Sequence, residues 1–129
     1  MDLMPTRIVA DVFARLPDSL RRDGEPAEWL SLHKRGAPMG SFLEGPSFDV
    51  DGNLFVTDIP FGRIFRVDPG GAFSIVAEYD GQPNGLKFAA DGTAYISDHR
   101  RGLLRLDRQT GSVEVVLDGY RDGAFHGLN

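Results

Sequence analysis

Apolar residues in this chain come in short clusters separated by aspartate- and glycine-rich breaks, and this pattern predicts strands rather than helices. Four strands are expected at residues 46–50, 54–58, 63–67 and 72–77, and four more at 85–89, 94–98, 103–106 and 112–117. Asp51-Gly52-Asn53 and Asp91-Gly92 read as hairpin turns, because Asp-Gly tolerates the positive φ of tight connections. Asp68 to Gly71 and Asp107 to Gly111 supply the other turns. Alternation breaks down in Leu54-Phe55-Val56 and Val115-Val116-Leu117, which predicts sheets covered on both faces.

The first 42 residues are less regular. Residues 7–16 fit a strand or a short amphipathic helix; their β-branched residues favour a strand, which Pro17 ends. Residues 18–42 are polar and broken by Gly24, Pro26, Gly36, Pro38 and Gly40. Within them, residues 26–33 fit one helical turn or a strand equally well, and Trp29 and His33 read as packing residues.

The strand pattern repeats. Phe48, Asp51-Gly52, Asp58 and Gly62 recur 40 residues later as Phe88, Asp91-Gly92, Asp98 and Gly102. Phe65 to Asp68 returns as Leu104 to Asp107 after a one-residue deletion. A strand-rich repeat of about 40 residues is the signature of four-stranded propeller blades. The expected fold is therefore all-β, with blades of four antiparallel strands. The expected divisions are an N-terminal segment over 1–42 with a ring-closing strand, blades over 43–80 and 81–120, and a third blade opening over 121–129. Four blades would need about 160 residues at this period, so 129 residues fit the N-terminal part of a longer ring.

Charge narrows the partners. The net charge is −5, from 14 Lys plus Arg against 19 Asp plus Glu, without a basic stripe; this argues against nucleic acid or an anionic membrane. The chain has no cysteine, so neither disulfides nor thiolate metal sites arise. The N-terminus lacks a signal-peptide pattern and no apolar run has the length of a membrane span, so a soluble, cytoplasmic protein is expected. Oligomeric state is not legible.

Chain polarity sorts the loops into two groups. The Asp-Gly turns and those after Asp68 and Asp107 lie at one end of the sheets. Glu44, Asn84 and Asn129 open successive first strands at the other end, beside the links 59–62 and 99–102. If the first strand is innermost, three oxygen-bearing side chains converge on the ring axis. One carboxylate and amide oxygens suit a hard divalent cation. Spacing alone leaves this open, because Asn before Gly is common in turns and Glu44 reads equally as a solvated residue.

The stretch from Ser41 to Ile59, Ser-Phe-Leu-Glu-Gly-Pro-Ser-Phe-Asp-Val-Asp-Gly-Asn-Leu-Phe-Val-Thr-Asp-Ile, resembles the first-blade signature of the gluconolactonase (senescence marker protein, regucalcin) family. Gln82 to Phe88 and His126 to Asn129 are similar to its second and third blade openings. The resemblance spans residues 41–129. It implies a six-bladed propeller that hydrolyses sugar-type lactones with an axial divalent ion, Ca²⁺ first, with Mg²⁺, Mn²⁺ or Zn²⁺ as alternatives. By position it makes Glu44 a metal ligand and Asn129 a substrate-binding residue, with Asn84 a weaker site candidate. The remaining metal ligands and the general base are expected beyond Asn129. Animal members of the family have arginine where this chain has Gly127, so the resemblance implies a different substrate contact here, for which His126 is the candidate.

Other signals are discounted. Asp49 to Asn53 suggests a calcium loop, but residue 54 is Leu where an EF-hand needs Gly, and position twelve is Pro60 where it needs Glu. His99-Arg100-Arg101 reads as solvated loop charge before it reads as an anion site. No Gly-x-Ser-x-Gly elbow is present. Two functions remain: a metal-dependent lactone hydrolase, and a non-catalytic propeller binding a ligand or protein. Glu44 separates them, because a binding scaffold has no need of an axial carboxylate.

Overall fold

All eight predicted strands form, and they build two four-stranded antiparallel sheets. The structure is a computed structural model that describes residues 5–35 and 39–129. Positions 1–4, 36 and 38, which entered the reading of the N-terminal region, lie outside the described residues. The first sheet runs β1 (Leu43–Phe48), β2 (Leu54–Asp58), β3 (Arg63–Val67), β4 (Phe73–Glu78). The second runs β5 (Pro83–Phe88), β6 (Ala94–Asp98), β7 (Gly102–Leu106), β8 (Val113–Leu117). Both sheets keep sequence order, the up-and-down meander of a propeller blade.

The first strand of each sheet starts earlier than its apolar run suggests. Glu44 pairs with Thr57 and Ser47 with Phe55, so Gly45 and Pro46 together face Val56. In the second sheet Pro83 pairs with Asp98 and Gly85 with Ser97, leaving Asn84 between them. These are bulges, where an extra residue bends the strand and re-aims its side chains. The polar residues ahead of the apolar run therefore still belong to the ladder.

Register also relocates the deletion. Asp58 pairs with Arg63, but Asp98 pairs with Gly102. The missing residue thus falls in the link 99–101, before Gly102. The expected match of Gly62 with Gly102 is corrected: Gly102 stands where the first sheet has Arg63.

The sheets stack face to face. Phe55, Ile64 and Ala77 of the first interlock with Leu86, Ala94, Ile96, Leu104 and Leu106 of the second. The β7–β8 turn reaches across at the outer edge: a Cβ on Gly111 would lie 2.3 Å from the Val76 carbonyl oxygen. The other face of the first sheet is covered by Leu16 and Leu20, which pack on Val56, Phe65, Leu54 and Phe73.

Residues 5–17 do not form the expected strand. Propensity alone cannot make one without a neighbouring edge to take the ladder hydrogen bonds. Here the segment runs across a sheet face, anchored by Leu16, while Ile8, Val9, Val12 and Phe13 stay exposed. Residues 26–33 resolve as α1 (Glu28–His33). Trp29 and Leu30 are buried against Ile59 at the end of the first sheet, and the Trp29 and His33 rings stack at 5.0 Å. Both therefore pack, as expected.

The Asp-Gly stretches are hairpin turns. Asp49 N–H donates to the Asn53 carbonyl at 3.0 Å, and Ala89 N–H to that of Thr93 at 2.8 Å. Gly52 and Gly92 adopt φ of 82° and 83°. The Asp49 carboxylate caps its own turn, accepting from the Asp51 and Asn53 backbone N–H groups and the Asn53 amide. It also receives Arg108 of the second sheet at 3.1 Å, so the two blades are tied at this end. Burial pushes the Asp49 pKa up, but the Asn53 and Asp51 hydrogen bonds and Arg108 outweigh it and hold the group below its ordinary 3.8. Turn hydrogen bonds from Thr93 depress Asp91, and those from Gln109 and Thr110 depress Asp107.

These shifts set an acid dependence. Each carboxylate releases its proton more readily folded than unfolded, so the unfolded chain takes up protons first as pH falls. The stability they contribute is complete above the unfolded value near 3.8 and is lost as pH drops through the lower folded values. The urea midpoint should be flat between pH 7 and 5 and fall below about pH 4. A midpoint that rises on acidification would contradict this.

Candidate functional site

The site is built where the inner strands of the two sheets approach each other. β1 and β2 both touch β5. The approach is close enough to exclude a side chain: a Cβ on Gly45 would sit 2.6 Å from the Asn84 carbonyl oxygen and 2.8 Å from the Leu86 nitrogen. Gly45 also holds φ +56°, the left-handed region. The Thr57 hydroxyl donates to the same Asn84 carbonyl at 3.0 Å. Backbone contact thus fixes the separation of Glu44 and Asn84, one residue to the side of each glycine.

Gly45→Ala should therefore cost more than a simple left-handed alanine, at least about 2 kcal/mol. Gly52→Ala is the control, with φ +82° and nothing within 4 Å of the added Cβ. Urea unfolding should show Gly45→Ala clearly the worse of the two; equal losses would mean that the close approach contributes nothing.

Glu44, Asn84 and Asn129 line one cavity of about 500 Å³. Glu44 is exposed, Asn84 half-buried and Asn129 exposed. Asn129 reaches the cavity by lying across the second sheet: its carbonyl carbon is 3.6 Å from where a Gly85 Cβ would be. Asn129 thus stands against Gly85 in much the way Asn84 stands against Gly45. His126 is not brought into the lining; it is exposed, and the neighbouring Gly127 N–H donates to the His99 carbonyl at 3.0 Å.

Lys87, Tyr95, Ser97 and Leu103 complete the wall. Sequence reasoning passed over them, although alternation along β6 carries the signal: Ala94, Ile96 and Asp98 are buried while Tyr95 and Ser97 are only half-buried. Arg100 and Arg101 belong to a neighbouring surface. Arg100 meets Asp80 and Glu28 at 3.2 and 3.6 Å, and Arg101 donates to the Asp80 carbonyl. These are solvated loop charges, as expected.

Two buried aspartates support this end of the molecule. Asp58 accepts the Phe42 N–H at 2.8 Å, and Asp98 accepts the Gln82 N–H at 2.8 Å, each fixing the chain just before a first strand. Their remaining partners differ because of the relocated deletion. Asp58 binds the buried Arg63 guanidinium through Nε at 3.0 Å and Nη2 at 2.5 Å. Asp98 faces Gly102 instead and is satisfied by the Tyr79 hydroxyl at 2.8 Å and the Arg100 and Arg101 backbone N–H groups at 2.9 Å. Burial, then Asp98, pushes the Tyr79 hydroxyl well above its ordinary range, so it stays a donor.

No family model matches the sequence, and no curated protein matches it. Among solved structures the chain is similar to a gluconolactonase from Xanthomonas campestris described as important in glucose secondary metabolic pathways. The TM-score is 0.60 at 20% identity, over 65% of this chain and 28% of that one. The shared property is the fold. Two stacked four-stranded meanders with their inner strands in contact are propeller blades, and the chain spans less than a third of that protein's length.

Among the described residues no helix is long and apolar enough to cross a membrane. Nor do three His, Cys, Asp or Glu side chains gather in one place among them. The cavity therefore offers a cation one carboxylate side chain, with neutral oxygens and the Lys87 ammonium beside it.

Proposed function

We propose that this chain forms the first two blades of a six-bladed cytoplasmic propeller that hydrolyses sugar-type lactones with a divalent ion. The observation that carries this reading is the convergence of Glu44, Asn84 and Asn129 on one cavity where the inner strands meet. The donor set fits a hard cation, Ca²⁺ first and Mg²⁺, Mn²⁺ or Zn²⁺ as alternatives: one carboxylate and two amide oxygens, with no sulfur. Glu44 would hold the ion, which when bound supplies charge to polarise a lactone carbonyl and acidify a water. Asn129 and Asn84 would orient substrate hydroxyls. The apolar floor from Leu86, Leu103 and Tyr95 would shield the sugar ring's carbon face.

One carboxylate is too little charge for tight cation binding, so the other ligands and the general base belong to later blades. The likeness to a gluconolactonase over 28% of its length supports this placement. The chain by itself is then an inactive half-site. Turnover of gluconolactone should be negligible for the 129-residue chain, and present and chelator-sensitive once the ring is complete. Robust hydrolysis by the isolated monomer, or by the complete ring in excess chelator, would overturn the proposal.

A second reading, a non-catalytic binding propeller, is favoured by the largely apolar cavity wall. It predicts ligand binding that ignores both chelator and the charge at Glu44.

A further inference from the structure

Asparagine followed by glycine readily loses its side-chain amide, because glycine leaves the next backbone nitrogen unhindered and free to turn. Of the three asparagines in the chain, only Asn84 precedes a glycine. It falls in the β5 bulge, between the Pro83–Asp98 and Gly85–Ser97 pairs, and it lines the open cavity within reach of water. The peptide unit that joins Asn84 to Gly85 is pinned at both ends. The Thr57 hydroxyl donates to the Asn84 carbonyl at 3.0 Å, and the Gly85 N–H donates to the Ser97 hydroxyl oxygen at 3.0 Å. Thr57 and Ser97 occupy the same place in the repeat, so one hydroxyl from each sheet holds this unit. Ser97 also leaves no room for a side chain at residue 85, where a Cβ would lie 2.5 Å from its oxygen. The labile sequence therefore comes with its own restraint.

We infer that Asn84 is a latent deamidation site, kept as an amide by the Thr57 and Ser97 hydroxyls. In the reaction the Gly85 nitrogen gives its proton to solvent and bonds to Cγ of Asn84. The bond from Cγ to the side-chain nitrogen breaks, ammonia leaves, and a succinimide ring remains. Water then adds to one of the two ring carbonyl carbons and opens the ring to aspartate or isoaspartate. The net change is amide plus water to carboxylate plus ammonium, with water the only co-reactant. The attack needs the peptide unit to turn toward Cγ, and that turn breaks both hydrogen bonds. In the folded chain the reaction therefore waits on local opening. An aspartate at 84 would put a second carboxylate side chain beside Glu44 and raise the cavity's affinity for a hard cation. That consequence rests on the metal-dependent reading proposed above, whereas the deamidation does not.

Peptide mapping by mass spectrometry of the 129-residue chain, incubated at mildly alkaline pH, counts the acid forms of residue 84 over time. Ser97→Ala should convert roughly fivefold to tenfold faster than the parent, the change expected on releasing one hydrogen bond. Thr57→Val should do the same from the other end of the peptide unit. In enough urea to unfold them, the parent and both variants should convert equally fast, and faster than either folded variant. Gly52→Ala strains a turn at the far end of the first sheet, so it controls for a general loss of stability and should match the parent. A folded parent that converts as fast as the unfolded chain, or Ser97→Ala and Thr57→Val chains no faster than Gly52→Ala, would overturn the inference. In a complete ring, Asn84→Asp should bind Ca²⁺ more tightly than the parent. Unchanged affinity there would count against the metal reading and leave the deamidation rates standing.

Discussion

Asp58→Ala is expected to destabilise the chain by about 3–5 kcal/mol, enough to unfold much of a domain this size. Asp58 is fully buried and Arg63 is 2% exposed. Removing the carboxylate leaves the guanidinium in a low-dielectric site with the Ser41 hydroxyl as its remaining polar side-chain partner, at 2.9 Å. The Phe61 and Phe65 rings beside it, with centroids 5.6 and 4.8 Å from Cζ, attract a cation but do not replace a counter-ion. The Phe42 N–H also loses its acceptor, which loosens the entry to β1 immediately ahead of Glu44.

The double variant Asp58→Ala/Arg63→Met separates the stranded charge from the missing hydrogen bond. Removing both partners of a buried pair is commonly close to neutral, so the double variant should regain most of the loss. Urea unfolding checks the pair of variants. A single variant within about 1 kcal/mol of the parent, or a double variant no better than the single, would show that the pair carries little.

The sequence made the strands legible because each is a short apolar run closed by a turn with its own chemistry. Asp-Gly at 51–52 and 91–92 specifies a hairpin through the positive φ of glycine, and the structure has both. The short hairpin of β9 (Gly119–Tyr120) and β10 (Gly123–Ala124) was not legible. Its two loop residues are Arg121 and Asp122, and Arg121 takes φ +55° without being glycine or asparagine. The position of the deletion was hidden for a related reason: Gly62 and Gly102 both have positive φ, so they look equivalent by composition, and only strand pairing shows that they are not.

The cavity was legible in part. Glu44, Asn84 and Asn129 stand out because they recur at one place in the repeat. Lys87, Tyr95 and Ser97 do not, because their exposure depends on which face of the second sheet is stacked. His126 has no strand to fix its direction, and residue spacing carries no information about such a side chain. The supporting aspartates were visible as landmarks at positions 58 and 98, but the contact they share is to a backbone N–H, and their side-chain partners differ, Arg63 for one and Tyr79 for the other, so no repeated pair of residue types marks them.

Glu44→Gln should weaken divalent-cation binding at least about tenfold while leaving the melting temperature within a few degrees. Glutamine keeps the length of the side chain and one oxygen but removes the only carboxylate side chain that this cavity presents among the described residues. A hard cation is selected by ligand charge as much as by ligand count, so the loss is felt most where a single charge serves the site. Stability should be spared because Glu44 is exposed and its place in the β1–β2 ladder uses backbone groups alone. Asn129→Ala and Asn84→Ala remove neutral donors, so each should weaken the cation less than Glu44→Gln does. Calorimetric titration with Ca²⁺, Mg²⁺, Mn²⁺ and Zn²⁺, alongside a thermal melt, reads both quantities in the completed ring, where the remaining ligands are present. In a complete ring the same substitution should abolish lactone hydrolysis in step with the lost cation. A Glu44→Gln chain that binds the cation as well as its parent would remove Glu44 from the site, and with it the argument for hydrolysis over simple ligand binding.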